Sequence, residues 1–160
     1  MKKTVSLLIT IIMSTSILSA NNETGVKKAL YDLTTGNIKV LKKKLIHNII
    51  SNTEYYKSKK EQFKVRVVVH GDAYKFFMKD LNNTAYAFQP AVVNNKKTLK
   101  KALNELVNLY HVEFWVCGAG MKHHHLKKEA FYPFITVVHN AMTGLIDAQN
   151  DGYAYVPIAK

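Results

Sequence analysis

The chain has 160 residues, enough for one domain with a proper core and too few for two. Its 23 Lys and Arg outnumber 11 Asp and Glu, a formal charge of +12 that suits acidic partners, anionic small molecules or an anionic membrane surface. The lysines are spread out instead of gathered in an Arg-rich arm, so they read as a solvated surface and make no case for nucleic acid; a single cysteine excludes an internal disulfide.

Residues 1–20 open with Lys2 and Lys3, continue through an apolar core and end in Leu18-Ser19-Ala20, the layout of a secretory signal cleaved after Ala20. The apolar core is too short, and too interrupted by Thr and Ser, for a stable membrane span. The expectation is an exported, periplasmic protein whose mature part, residues 21–160, is a single domain. Its charge is +12 less the two leader lysines, or +10.

Residues 26–33 predict a first strand, closed by Thr34-Thr35-Gly36-Asn37, a turn that can also start a helix. Ile38, Leu41, Leu45 and Ile49 share one helical face, predicting an amphipathic helix on a sheet, with the polar residues 55–61 as a solvated connection. Residues 63–69 predict a second strand, and the unbroken Val67-Val68-Val69 points to burial on both faces, as in a parallel sheet. His70-Gly71-Asp72 then forms a tight turn into a short helix over 73–78, with Asp72 as its N-cap.

Residues 80–97 carry little regular pattern yet hold Tyr86, Phe88, Val92 and Val93. They fit a subunit contact, a wall over the strand ends, or a loop folded back on its own domain. Residues 98–110 predict a helix with Leu99, Leu103 and Leu106 on one stripe, and residues 112–116 a short buried strand with Cys117 at its tip. From Thr136 onward, Val138, Ala141, Met142, Leu145 and Ile146 suggest another helical stripe, stopped at Asp151-Gly152. Residues 153–158 predict a last strand, with Pro157 marking its end or an edge position. Alternating strands and helices define an α/β class, a three-layer α/β/α sandwich around a small, mostly parallel sheet.

Cys117 stands where such sheets bind ligands, at the carboxyl end of a strand, before Gly118-Ala119-Gly120 breaks the pattern. A helix starting there would aim its positive end at the sulfur, and Lys122 with His123 to His125 adds cationic character that favours thiolate. Three fates are open to a lone thiol: inert burial, an intermolecular disulfide, or chemistry. Consecutive histidines on a helix diverge and lack the i, i+4 spacing of a two-His site, so no metal is expected at the His run. No P-loop, Rossmann glycine pattern or Ser-His-Asp set is present, and no cofactor is expected.

Four stretches taken in order are more specific than any one of them: Tyr31-Asp-Leu-Thr-Thr-Gly36, Val67-Val-Val-His-Gly-Asp-Ala73 with Lys75-Phe76-Phe77, Val112-Glu-Phe-Trp-Val-Cys-Gly118, and Gly152-Tyr-Ala-Tyr-Val156. Together they resemble the DsrE/DsrF-like family over about residues 26–158. The resemblance implies a small α/β/α domain assembled as trimers or hexamers, in a family whose members relay sulfur as a persulfide on a cysteine that follows a strand. Cys117 matches that cysteine and Gly118-Ala119-Gly120 the small residues after it, while His124-His125 replaces the Arg-Gly that often follows.

The resulting expectation is a persulfide carrier more than an enzyme. Cys117 would bear the sulfur, with His70 and His123 as proton-handling groups and Gly71, Asp72, Lys75, Gly118 and Lys122 as binding contacts. Its partners would be copies of itself and a sulfur donor or acceptor, either a protein or a small sulfur anion. The alternative is a non-catalytic oligomeric binding or assembly module in which Cys117 packs at a strand end, His70 is a hydrogen-bonded structural histidine and Asp72 is a cap.

Overall fold

β-branched runs mark the end of one central strand and the whole of an edge strand, Val67-Val68-Val69 and Ile135-Thr136-Val137-Val138. The computed structural model describes residues 25–159, and the export signal expected over residues 1–20 lies outside them. Strands β1 (Val26–Leu33), β2 (Gln62–Val69), β3 (Glu113–Cys117), β4 (Ile135–Val138) and β5 (Ala154–Ile158) form one sheet in the order β4-β3-β2-β1-β5, every pairing parallel. All strand carboxyl ends therefore share one edge of the sheet.

Burial of β2 on both faces follows from its valines. Val67 and Val69 enter a large core with Leu41, Leu45, Ile49, Leu99, Leu103 and Leu106, whereas Val68 enters a smaller one with Leu30, Ala148 and Tyr153. The large core is covered by a helical run from α1 (Ile38–Val40) through a π-helical segment, Leu41–His47, into α2 (Asn48–Ser58), and by α4 (Lys96–Tyr110). The short helices α3 (Pro90–Val93) and α5 (Gly118–His123) connect elements. The small core is covered by α6 (Ala141–Asn150), which completes the three layers.

Four expectations need correction. The first helix runs to Ser58, so most of residues 55–61 is helical; Tyr56 lies 5.0 Å from the Phe63 ring, and that contact gives the last turns something to pack on. The expected helix at 73–78 is a 3-10 segment, Gly71–Phe77, and Asp72 is no cap for it. The segment starts one residue earlier, at a glycine with φ +60, and no side chain caps it.

Within residues 80–97, Pro90 opens the single turn of α3 and α4 begins at Lys96. The largest difference lies near the carboxyl end, where the apparent stripe from Thr136 combines a strand with a helix. Thr136-Val137-Val138 belongs to β4, and the Asn140 side chain accepts the Thr143 N–H at 2.8 Å in a capping box that starts α6 afresh. Met142 and Ile146, read as core, are exposed.

Candidate functional site

Three chain segments leave the carboxyl edge of the sheet side by side. Thr34-Thr35-Gly36-Asn37 follows β1, His70-Gly71-Asp72 follows β2, and Cys117 ends β3. Val69 pairs with Val116, so the backbones of His70 and Cys117 are neighbours. The adjacency of these two strand ends is as expected; the directions of their side chains are not.

Cys117 is 7 % exposed and is the N-cap of α5, where its Sγ accepts the Gly120 N–H at 3.3 Å. Its carbonyl oxygen accepts the Tyr74 hydroxyl at 3.1 Å. Gly120 is required by that contact, since a Cβ there would collide with the Tyr74 hydroxyl, and a Cβ on Gly118 would stand 2.8 Å from the Val138 carbonyl oxygen. The Ala119 N–H donates to the His139 carbonyl at 3.0 Å. The turn carrying the thiol is thus held between Tyr74 and the end of β4. Burial, then the hydrogen bond and charge of Cys117, push the Tyr74 phenol well above its ordinary value, so it stays protonated and donating.

His70 turns away from this thiol. Its Nε2 lies 2.7 Å from Asp32 Oδ1 on β1, which flanks β2 on the side opposite β3, and Asp32 Oδ2 accepts the Tyr155 hydroxyl at 2.6 Å. That hydrogen bond to Asp32 pushes the Tyr155 phenol up, with burial adding to it. Asp32 and Tyr155 are not among the sequence candidates, although a carboxylate within the apolar carboxyl-terminal half of β1 is a usable signal. Tyr74, hidden in an aromatic run, offered no comparable one.

Lys122 and His123 lie exposed on the last turn of α5. The His123 ring meets His124 edge-on at 5.1 Å, and His124 meets Tyr74 at 5.8 Å, so His124, and not His123, is the histidine of the run that touches the ring supporting the thiol turn. Among the described residues no three His, Cys, Asp or Glu side chains converge as a metal site would need. No helix among them is long and apolar enough to cross a membrane.

On the other flank of the 3-10 segment, Lys75 is 9 % exposed and lines a cleft of about 650 Å³ with Thr35, Gly36, Asn37, Ile38, Lys39, Asp72 and Ala91. Cys117 is not among these lining residues. The expected binding residues therefore divide: Gly118 supports the thiol turn, Lys75 and Asp72 face the cleft, Gly71 makes the turn between them, and Lys122 stands in solvent.

Comparison with known proteins bears on the fold and the family. A protein of unknown function from Methanobacterium thermoautotrophicum has the same fold, with a TM-score of 0.56 over 82 % of this chain and 98 % of that one at 14 % identity. An uncharacterised protein of Aquifex aeolicus (strain VF5) is 25 % identical over 131 residues; the match takes in 81 % of this chain and 55 % of that protein, so the chain spans about half the length of this relative. The DsrE/DsrF-like family matches residues 18–158, the whole of the sheet and the thiol turn, and the chain belongs to that family of sulfur-relay type.

Proposed function

We propose that this protein is an exported carrier of sulfane sulfur that holds its cargo on Cys117. The observation behind the reading is the placement of a lone cysteine at a strand's carboxyl end, its Sγ receiving the Gly120 N–H within a turn held by Tyr74 and two glycines. The nucleophilic form of a cysteine is the thiolate.

The thiolate attacks the outer sulfur of a donor persulfide. A new S–S bond forms to Cys117 as the donor's S–S bond breaks, and the donor thiolate leaves with the electron pair. The reverse step, with a second thiolate as acceptor, unloads the carrier. No second cysteine of the chain is needed.

Export rests on the leader-like sequence of residues 1–20. Assembly as a trimer or hexamer is the family's habit, and the exposed Met142 and Ile146 on α6 offer apolar surface for such contacts.

The burial of Cys117 favours a second reading, in which the thiol is a packed strand-end residue of a binding or assembly module. Alkylation by iodoacetamide of the native protein, alongside the same protein in urea, separates the two. A carrier reacts in the folded state, and a structural cysteine reacts only after unfolding.

A further inference from the structure

Two cationic side chains are buried among the described residues, Arg66 and Lys75. The guanidinium of Arg66 has two carboxylates. Lys75 makes no hydrogen bond and no ion pair among the described residues; its Nζ has only the Phe76 ring at 5.6 Å and the Tyr86 ring at 6.0 Å. No side-chain nitrogen or oxygen among the described residues is both buried and unpartnered, so the stem of Lys75 is buried while its ammonium opens on the cleft, a positive charge presented there without a hydrogen-bonded counterion.

We propose that the cleft between the Thr35-Gly36 turn and Lys75 binds a small oxyanion of the sulfate, thiosulfate or phosphate class. Lys75 would be its principal charge contact. A Cβ on Gly36 would come within 2.8 Å of the Lys75 Nζ, so the absence of a side chain there keeps the ammonium accessible to the cleft.

Thr35 is 7 % exposed, and its hydroxyl oxygen accepts the Asn37 N–H at 3.1 Å. Its hydroxyl proton has no acceptor among the described residues and can be donated to a ligand. The Asn37 side chain already takes the N–H groups of Lys39 and Val40, so recognition falls to side chains and not to the start of the helix. Lys39 at the mouth adds a second positive charge, while Asp72, exposed at the rim, is the one acid among the lining residues and limits the affinity.

This site is independent of the thiol reading. Tyr74 leaves the 3-10 segment towards Gly120 and Lys75 leaves it towards Gly36, so neither proposal needs the other.

The test is an NMR titration of amide resonances in the purified full-length protein with sodium thiosulfate, sulfate and phosphate, at constant ionic strength set by chloride. The expected result is a saturable shift centred on Gly36, Lys39 and Lys75 for at least one of the three anions. Affinity should fall at least about tenfold in Lys75→Met and stay unchanged in Lys79→Met, an exposed lysine just beyond the segment. A preference for thiosulfate would tie the cleft to sulfur compounds, and a preference for phosphate would assign it to phosphate-bearing ligands. Shifts that grow linearly and scatter over surface lysines, or equal affinity in Lys75→Met, overturn the proposal. Should Lys75→Met fail to fold, Gly36→Ala, whose methyl fills the space beside the ammonium, takes its place under the same tenfold criterion.

Discussion

The two buried cationic residues among the described residues mark two differently built regions of one sheet. Where β3 begins, Arg66 donates to Glu113 and Asp151, both at 2.9 Å, and its guanidinium carbon stands 3.9 Å from the Trp115 ring and 4.5 Å from that of Tyr153. Burial works against its charge, and the hydrogen bonds of Asp151 and Glu113 more than restore it. Beyond the carboxyl ends, Lys75 is equally buried as a residue but forms no ion pair among the described residues, with Asp72 across the same cleft as the nearest acid lining it. A cation with matched acids is a fastener, whereas one left unmatched beside a cleft is better explained by what it binds than by what it holds.

That contrast is broken most directly at Arg66. Arg66→Met leaves Glu113 and Asp151 without their partner and removes the stacking on two rings, and should lower unfolding free energy by about 2–3 kcal/mol, a figure reduced because both acids are half-exposed. Urea denaturation reads it, and a loss near zero would place Arg66 with Lys75 and erase the distinction. Gly120→Ala should cost about 2 kcal/mol by the same measurement, because its methyl runs into the buried Tyr74 hydroxyl.

Tyr74→Phe removes one hydrogen bond to the Cys117 carbonyl and should cost about 1 kcal/mol near neutral pH. The variant also tests the alkaline side. A phenol raised in the folded state lends stability that is complete below about pH 10, the ordinary value, and is lost above it, since the unfolded chain releases a proton that the folded chain keeps. Urea midpoints of the wild type should therefore fall above pH 10, and Tyr74→Phe should flatten the fall. The smallest change in stability is expected at Lys75: Lys75→Met should stay within about 0.5 kcal/mol of wild type or gain slightly, because no ion pair is lost. A loss like that of Arg66→Met would make Lys75 a structural cation after all.

How much of this was legible in the sequence depended on the range of the interactions involved. Val67-Val68-Val69 announced a strand buried on both faces, and Leu99, Leu103 and Leu106 a helix, because local periodicity and burial agree there. Val138, Ala141, Met142, Leu145 and Ile146 misled because a strand and a helix happened to abut with the spacing of one helix, and the Asn140 cap between them carries no hydrophobic signal. Cys117 could be placed at a strand tip from the apolar run over residues 112–116 and the Gly118-Ala119-Gly120 that breaks it. That His70 points to Asp32, and that Lys75 and Cys117 fall on opposite flanks of one 3-10 segment, depends on strand order and side-chain direction, which no local pattern contains.

The central claim, that Cys117 carries sulfur, is tested most directly by the intact mass of the native protein before and after incubation with polysulfide, with Cys117→Ser as the control. The account predicts a gain of about 32 Da, one sulfur atom, that reductant reverses and the control lacks. An unchanged mass, with a thiol that resists alkylation until the protein unfolds, would contradict it and leave Cys117 as a packed residue of a binding module.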